Sequence, residues 1–282
     1  MDQDTEVEIK EQAPRLTEEE AEDVQRHRSL SSISVYTVVY AEGKEELARP
    51  LTSLWWSGVA AGLGISASVL AEGILHHVFL DHPYRHAIEN IGYTVGFILV
   101  ILARLQLFTE NTITAILPLL TERTGRALWC TARLWAIVLV ANLAGTAMTA
   151  YITPALGVTA PDYIEGMMAI SHHYGHLSAW EGFARGIPAG FFVAALVWML
   201  PSSKGSEIWT IFVFTYLIAM GDFTHVVAGS TELFMLIFAG EISIDHAVGL
   251  FLATLAGNIA GGTGLFALLA YGQVVNELEH RP

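Results

Sequence analysis

Two long apolar segments of this chain are polar where a membrane-spanning helix would cross the middle of a bilayer. The first, residues 90–120, carries Arg104, Gln106, Thr109, Glu110, Asn111 and Thr112 at its centre. The second, residues 208–240, carries Asp222, Thr224, His225, Gly229, Ser230 and Glu232. Both are too long and too apolar for loops. Irregular backbone at membrane depth survives only where protein buries it or a cavity wets it. A matched pair of interrupted segments, one in each half of a chain, points to a transport site. The chain is therefore expected to move something small and polar across a membrane.

Composition agrees with that reading. Of 282 residues, 53% are hydrophobic and only 15% charged, against about 25% charged in soluble domains. The apolar residues fall in runs of roughly 20 to 30, the length that a bilayer requires. Cys130 is the single cysteine, so neither an internal disulfide nor a cysteine metal cluster is possible. Residues 1–30 hold ten acids and four bases, which accounts for -6 of the formal charge of -14. Residues 1–32 are expected to form an acidic, disordered cytoplasmic tail. This acidity argues against a nucleic-acid partner. The N-terminus lacks the basic start and apolar core of a signal peptide, so the first span is expected to serve as the insertion signal.

Residues 33–50 read as an interfacial segment leading to Pro50. Six apolar segments follow, at about 51–79, 90–120, 128–152, 179–200, 207–239 and 244–272. They predict an all-α polytopic membrane protein with six transmembrane helices: a first three-helix half over 51–152, an extracytoplasmic loop over 153–177, a second half over 178–273 and a cytoplasmic C-terminal tail over 274–282. Lysine and arginine set the orientation. Lys44, Arg49, Arg123, Arg126, Lys204 and Arg281 fall on one side and Arg85 on the other, which puts both termini in the cytoplasm.

The halves also repeat. Ala141-Asn142-Leu143-Ala144-Gly145 matches Gly257-Asn258-Ile259-Ala260-Gly261, and Phe108-Thr109-Glu110 matches Phe223-Thr224-His225. Thr109 lies 33 residues before Asn142, and His225 lies 33 residues before Asn258. Three spans per half turn the second copy over, which predicts an inverted repeat with helices 2 and 5 broken.

These residues resemble the formate/nitrite transporter family. The anchors are Gln106-Leu107-Phe108-Thr109 with Asn111-Thr112, Arg185-Gly186-Ile187, His225, and Gly257-Asn258-Ile259-Ala260-Gly261-Gly262. The resemblance runs from about residue 37 to 273. It implies an aquaporin-like fold, a homopentamer in the cell inner membrane with one pore per protomer, and channel-like passage of small monovalent anions such as formate or nitrite. It also implies that His225 is the central pore histidine, that Thr109 faces the pore, and that Leu107 and Phe108 shape the first break. Thr224, Gly229, Ala189, Gly190 and Glu110 stand where the family commonly has other residues, which suggests an outlying subgroup with altered pore residues.

The residues carry their own chemistry. A charged or ionisable side chain at membrane depth marks a site by default, and histidine titrates at about 6.5, near neutrality. His225 is thus a candidate to pass a proton to an anion or to a hydrogen-bonded chain behind it. Thr109 and Thr224 offer hydroxyls that donate and accept. Glu110 and Asp222 would repel an anion, so they are expected to face away, paired or at a mouth, with Arg104 and Arg185 as partners. Asn142 and Asn258 are expected to tie the breaks to the scaffold. His-x3-His spacing occurs at His82/His86 and His172/His176; these read as loop histidines, and neither a metal nor a cofactor is expected. Two other functions stay open: an aquaporin-type pore for small neutral solutes, though neither break contains Asn-Pro-Ala, and a membrane protein with histidine-bound metal or haem.

Overall fold

Each uninterrupted apolar run becomes one long helix in the computed structural model, which describes residues 29–279 together with Thr17. Nearly all of the expected acidic tail lies outside the described residues. Helix α1 (Ser32–Ala48) precedes Pro50. Helix α2 (Leu51–Val78) starts directly after that proline, whose fixed φ suits a helix start. The chain continues with α3 (Arg85–Leu102), α4 (Asn111–Thr114), α5 (Ile116–Glu122) and α6 (Gly125–Ala155). Then come α7 (Pro161–Gly175), α8 (Ala179–Met199), α9 (Glu207–Met220), α10 (Val226–Ala239) and α11 (Ile244–Ile259). A π-helical stretch, Ala260–Ala267, leads into α12 (Leu268–Glu279). Polar residues set several starts: Thr124 caps α6, Ser178 and Glu181 close a capping box on α8, and Ser243 caps α11.

The expectation of six spanning helices in an aquaporin-like inverted repeat, with helices 2 and 5 each a broken span, is corrected by the helices themselves. Among the described residues, four helices are long and apolar enough to cross a membrane: Leu51–Val78, Gly125–Ala155, Ala179–Ser202 and Ile244–Leu278. The two interrupted segments are instead sets of separate shorter helices, α3 to α5 and α9 to α10. Helix α3 opens on the polar Arg85, His86, Glu89 and Asn90, which shortens its apolar part.

The same device stops α3 and α9. Arg104 and Asp222 adopt left-handed backbone at φ 54 and 52. At the first stop, Leu105 N donates to Val100 O and Arg104 N to Ile101 O, both at 3.0 Å. At the second, Phe223 N donates to Ile218 O and Asp222 N to Ala219 O, again both at 3.0 Å. This is the Schellman pattern, which satisfies the last carbonyls of a helix and turns the chain away. Hydropathy alone does not reveal it, because an arginine and an aspartate occupy positions where glycine is usual.

The long helices are held by close crossings. α2 packs on α3, α6 and α7, and α8 packs on α11. The core lies between them and includes Leu54, Ile65, Phe97, Phe108, Leu134 and Val138, each no more than 1% exposed. At the crossing of α2 and α6, a Cβ on Gly145 would collide with the Val59 carbonyl and come within 2.8 Å of the Gly62 Cα. Small residues let two spanning helices approach to backbone contact. Gly145→Ala should therefore push the helices apart and cost about 1–3 kcal/mol, read as a lower thermal midpoint of the detergent-solubilised protein. An unchanged midpoint would show that the crossing has slack. The expected 153–177 loop also holds a helix, α7, started by Pro161 at its first position.

Candidate functional site

Two asparagines hold the interrupted segments in place, and they do it alike. Asn142 on α6 accepts from Phe108 N at 2.9 Å and donates to Gly58 O and Gln106 O, each at 2.8 Å. Asn258 on α11 accepts from Val226 N at 2.8 Å and donates to Gly186 O at 2.9 Å and Thr224 O at 2.8 Å. Both are fully buried. Each side chain thus fixes one break to a long helix beside it, α2 or α8. Ser57 Oγ accepts from Gln106 N at 3.1 Å, and Thr224 Oγ1 donates to Gly182 O at 2.8 Å. These bonds give backbone groups of Gln106, Phe108, Thr224 and Val226 their partners and hold the breaks in place.

This scaffolding brings His225 and Thr109 together. His225 Nε2 lies 2.7 Å from Thr109 Oγ1, and both residues are buried, at 2% and 0% exposed. His225 also caps α10: its Nδ1 accepts from Ala228 N at 3.2 Å. That bond decides the tautomer. A ring nitrogen that accepts carries no hydrogen, so the neutral imidazole has its hydrogen on Nε2 and donates it to Thr109. The Thr109 hydroxyl hydrogen then has no acceptor among the described residues. The Phe97 ring stands edge-on to His225 at 4.9 Å, and Phe108 packs against Trp135 at 5.5 Å. Leu107 and Phe108 are each 1% exposed and join the core beside the pair.

A cavity of about 370 Å³ opens above this pair. Its lining includes Thr224, His225, Asp222, Arg185, Tyr93 and Glu232. Glu89 in its wall is bound by His76 Nδ1 at 2.8 Å, His86 Nδ1 at 3.4 Å and Arg85 Nε at 3.5 Å. Asp222 sits 3.4 Å from His173 Nε2.

The polar residues singled out in the sequence separate into groups. Thr109, Thr224 and His225 meet at the breaks, with Leu107 and Phe108 packed beside them. Asp222 is at a mouth with a histidine partner, and Arg185 lines the same cavity. Arg104 lies elsewhere, exposed and 3.2 Å from Glu42. The Glu110 Oε1 is buried with no hydrogen-bond partner among the described residues. Of the loop histidines, His172 stacks on His176 at 5.6 Å and pairs with Glu241 at 2.6 Å. Sequence reasoning passed over Phe97 and Glu72. Nothing marks the first among other aromatic residues, but Glu72 is an acid inside an apolar run and could have been found by that alone.

Four long apolar helices among the described residues, breaks pinned by buried asparagines and a polar pair beside a cavity define a multi-pass membrane protein built around a passage. The family model for formate/nitrite transporters matches residues 34–272, and the chain belongs to that family. It is 38% identical over 251 residues to the Inner membrane protein YfdC of Escherichia coli, covering 89% of this chain and 81% of that one. Its fold is shared with a solved FNT family ion channel at a TM-score of 0.76 and 17% identity, over 85% of this chain and 98% of the other. A solved pentameric formate channel with formate bound matches at a TM-score of 0.68 and 20% identity, over 80% and 98% of the two chains.

Proposed function

We propose that the chain is a channel-type transporter of small monovalent weak-acid anions of the formate and nitrite kind, gated by His225 and Thr109. The observation that carries this reading is the 2.7 Å contact between them, made by two separate breaks, with His225 lining an open cavity. An anion shedding water needs donors that are already aimed. The Thr109 hydroxyl is such a donor, since the histidine fills its acceptor side and leaves its hydrogen unspent. Leu107, Phe108 and Phe97 make the surroundings dry, which strengthens each polar contact.

Several features belong to the same reading. Asn142 and Asn258 keep the gate in register. Asp222 and Arg185 shape the mouth, while Glu110 and Arg104 stand to one side. The chain works as a homopentamer in the inner membrane; the descriptions of the pentameric formate channel and of YfdC support this by analogy. Lysine and arginine asymmetry supports both termini in the cytoplasm. The test is a flux panel in proteoliposomes with formate, nitrite, acetate, lactate, hydrosulfide and glycerol. Formate and nitrite should pass and glycerol should not. Passage of glycerol with exclusion of every anion would overturn the reading.

A further inference from the structure

Four carboxyl side chains line the cavity above the gate: Glu72, Glu89, Asp222 and Glu232. Glu89 and Asp222 have basic partners, as described. Glu72 and Glu232 have none: among the described residues neither makes a hydrogen bond or an ion pair. Each is partly buried and lines the cavity. An acid inside an apolar helix is costly and marks a pathway more often than a packing choice.

One of them stands on the helix that His225 caps and lines the same cavity as His225. Glu232 is seven residues beyond His225, the residue that caps α10, and so lies about two turns or about 10 Å further along that helix. Gly229 lies between them and lines the cavity without a side chain; a Cβ there would meet the Tyr174 ring at 2.6 Å. Glu72 joins the cavity from α2, one turn before His76.

Carboxylates that share one cavity repel one another, and a proton held by one of them relieves that repulsion. The gate itself has no proton to spare. His225 Nδ1 is occupied by Ala228 N–H, and its one hydrogen is given to Thr109.

We propose that Glu72 and Glu232 form a proton-loading site that converts an entering weak-acid anion into its neutral acid before it reaches His225. This rests on the transport reading above. In the step, the O–H bond of a side-chain carboxylic acid breaks and an O–H bond forms on the solute oxygen. The side chain is left as carboxylate and recovers a proton from water at the cavity mouth. The ligand class is a small monovalent anion basic enough to take that proton. Nitrite qualifies, and nitrate, of similar size but the anion of a strong acid, does not.

The experiment uses the full-length chain in proteoliposomes, with an internal pH dye. Wild-type protein should take up formate and nitrite with internal acidification, and nitrate at least about tenfold more slowly. In the Glu72→Gln/Glu232→Gln double variant, formate uptake should fall at least about tenfold and the acidification should vanish with it. A double variant that assembles like wild type and keeps both the formate rate and the formate-to-nitrate ratio overturns the proposal. Should the variant not assemble, the wild-type ratio still decides: nitrate moving as fast as formate overturns the loading site and leaves the transport reading standing. Wild-type protein that moves no weak acid overturns both.

Discussion

Formate flux through His225→Ala should fall by roughly 10- to 100-fold, while the protein still assembles. The substitution removes the Nε2 donor that lies 2.7 Å from Thr109 and leaves the threonine hydroxyl without its partner. A hydrogen bond to a charged solute is worth about 1.5–3 kcal/mol, and each 1.36 kcal/mol on a barrier is about tenfold in rate. The same change also strips α10 of its cap, because Nδ1 no longer accepts from Ala228 N. A lost cap costs about 1 kcal/mol, so some loss of stability will accompany the loss of flux. A second variant separates the two. Asparagine is a strong capping residue but is too short to reach Thr109, so His225→Asn should recover the stability and not the flux. Unchanged flux in assembled His225→Ala protein would falsify the gate, and the backbone N–H groups of the breaks would then be left to handle the solute.

Much of this site was legible in the sequence because membrane burial makes polar residues conspicuous. Thr109, Thr224 and His225 stood out as polar side chains in apolar runs, and the equal spacing to Asn142 and Asn258 marked those two as anchors. The partners were less legible. Arg104 reads as a partner for an acid of the breaks and Asp222 as such an acid, yet both serve as left-handed helix stops, with side chains that go to Glu42 and His173. Hydropathy measures how apolar a run is, not where a helix within it ends, so two runs long enough to span were counted as spans. Helix α7 was missed for the converse reason: it is short, half-polar and lies between spans. The Phe97 contact with His225 depends on how α3 and α10 pack, and no local pattern encodes that.

Asn258→Ala should be the most destabilising of the single changes considered, because one side chain satisfies three buried groups. Val226 N–H loses its acceptor, and the carbonyls of Gly186 and Thr224 lose their donors. The site is dry, so water does not replace these bonds cheaply; each unsatisfied group costs about 1–3 kcal/mol. Partial relaxation keeps the total below the sum, and about 3 kcal/mol or more is expected. In a domain of this size that lowers the thermal midpoint by roughly 6–12 °C, measured by tryptophan fluorescence in detergent. Asn142→Ala should cost a similar amount, since it leaves Phe108 N–H, Gly58 O and Gln106 O in the same state. Gln273→Ala, which removes an exposed bond to Ser32, sets the baseline and should stay within about 0.5 kcal/mol of wild type. The two asparagine variants should also lose flux, and by a different route from His225→Ala. They leave His225 and Thr109 chemically intact but release the backbone that positions them, so stability and transport fall together. A midpoint for Asn258→Ala within a degree or two of wild type would mean that the second break holds its shape without the asparagine, and the rigidity of the gate would have to be sought in the packing of α8 and α11 alone.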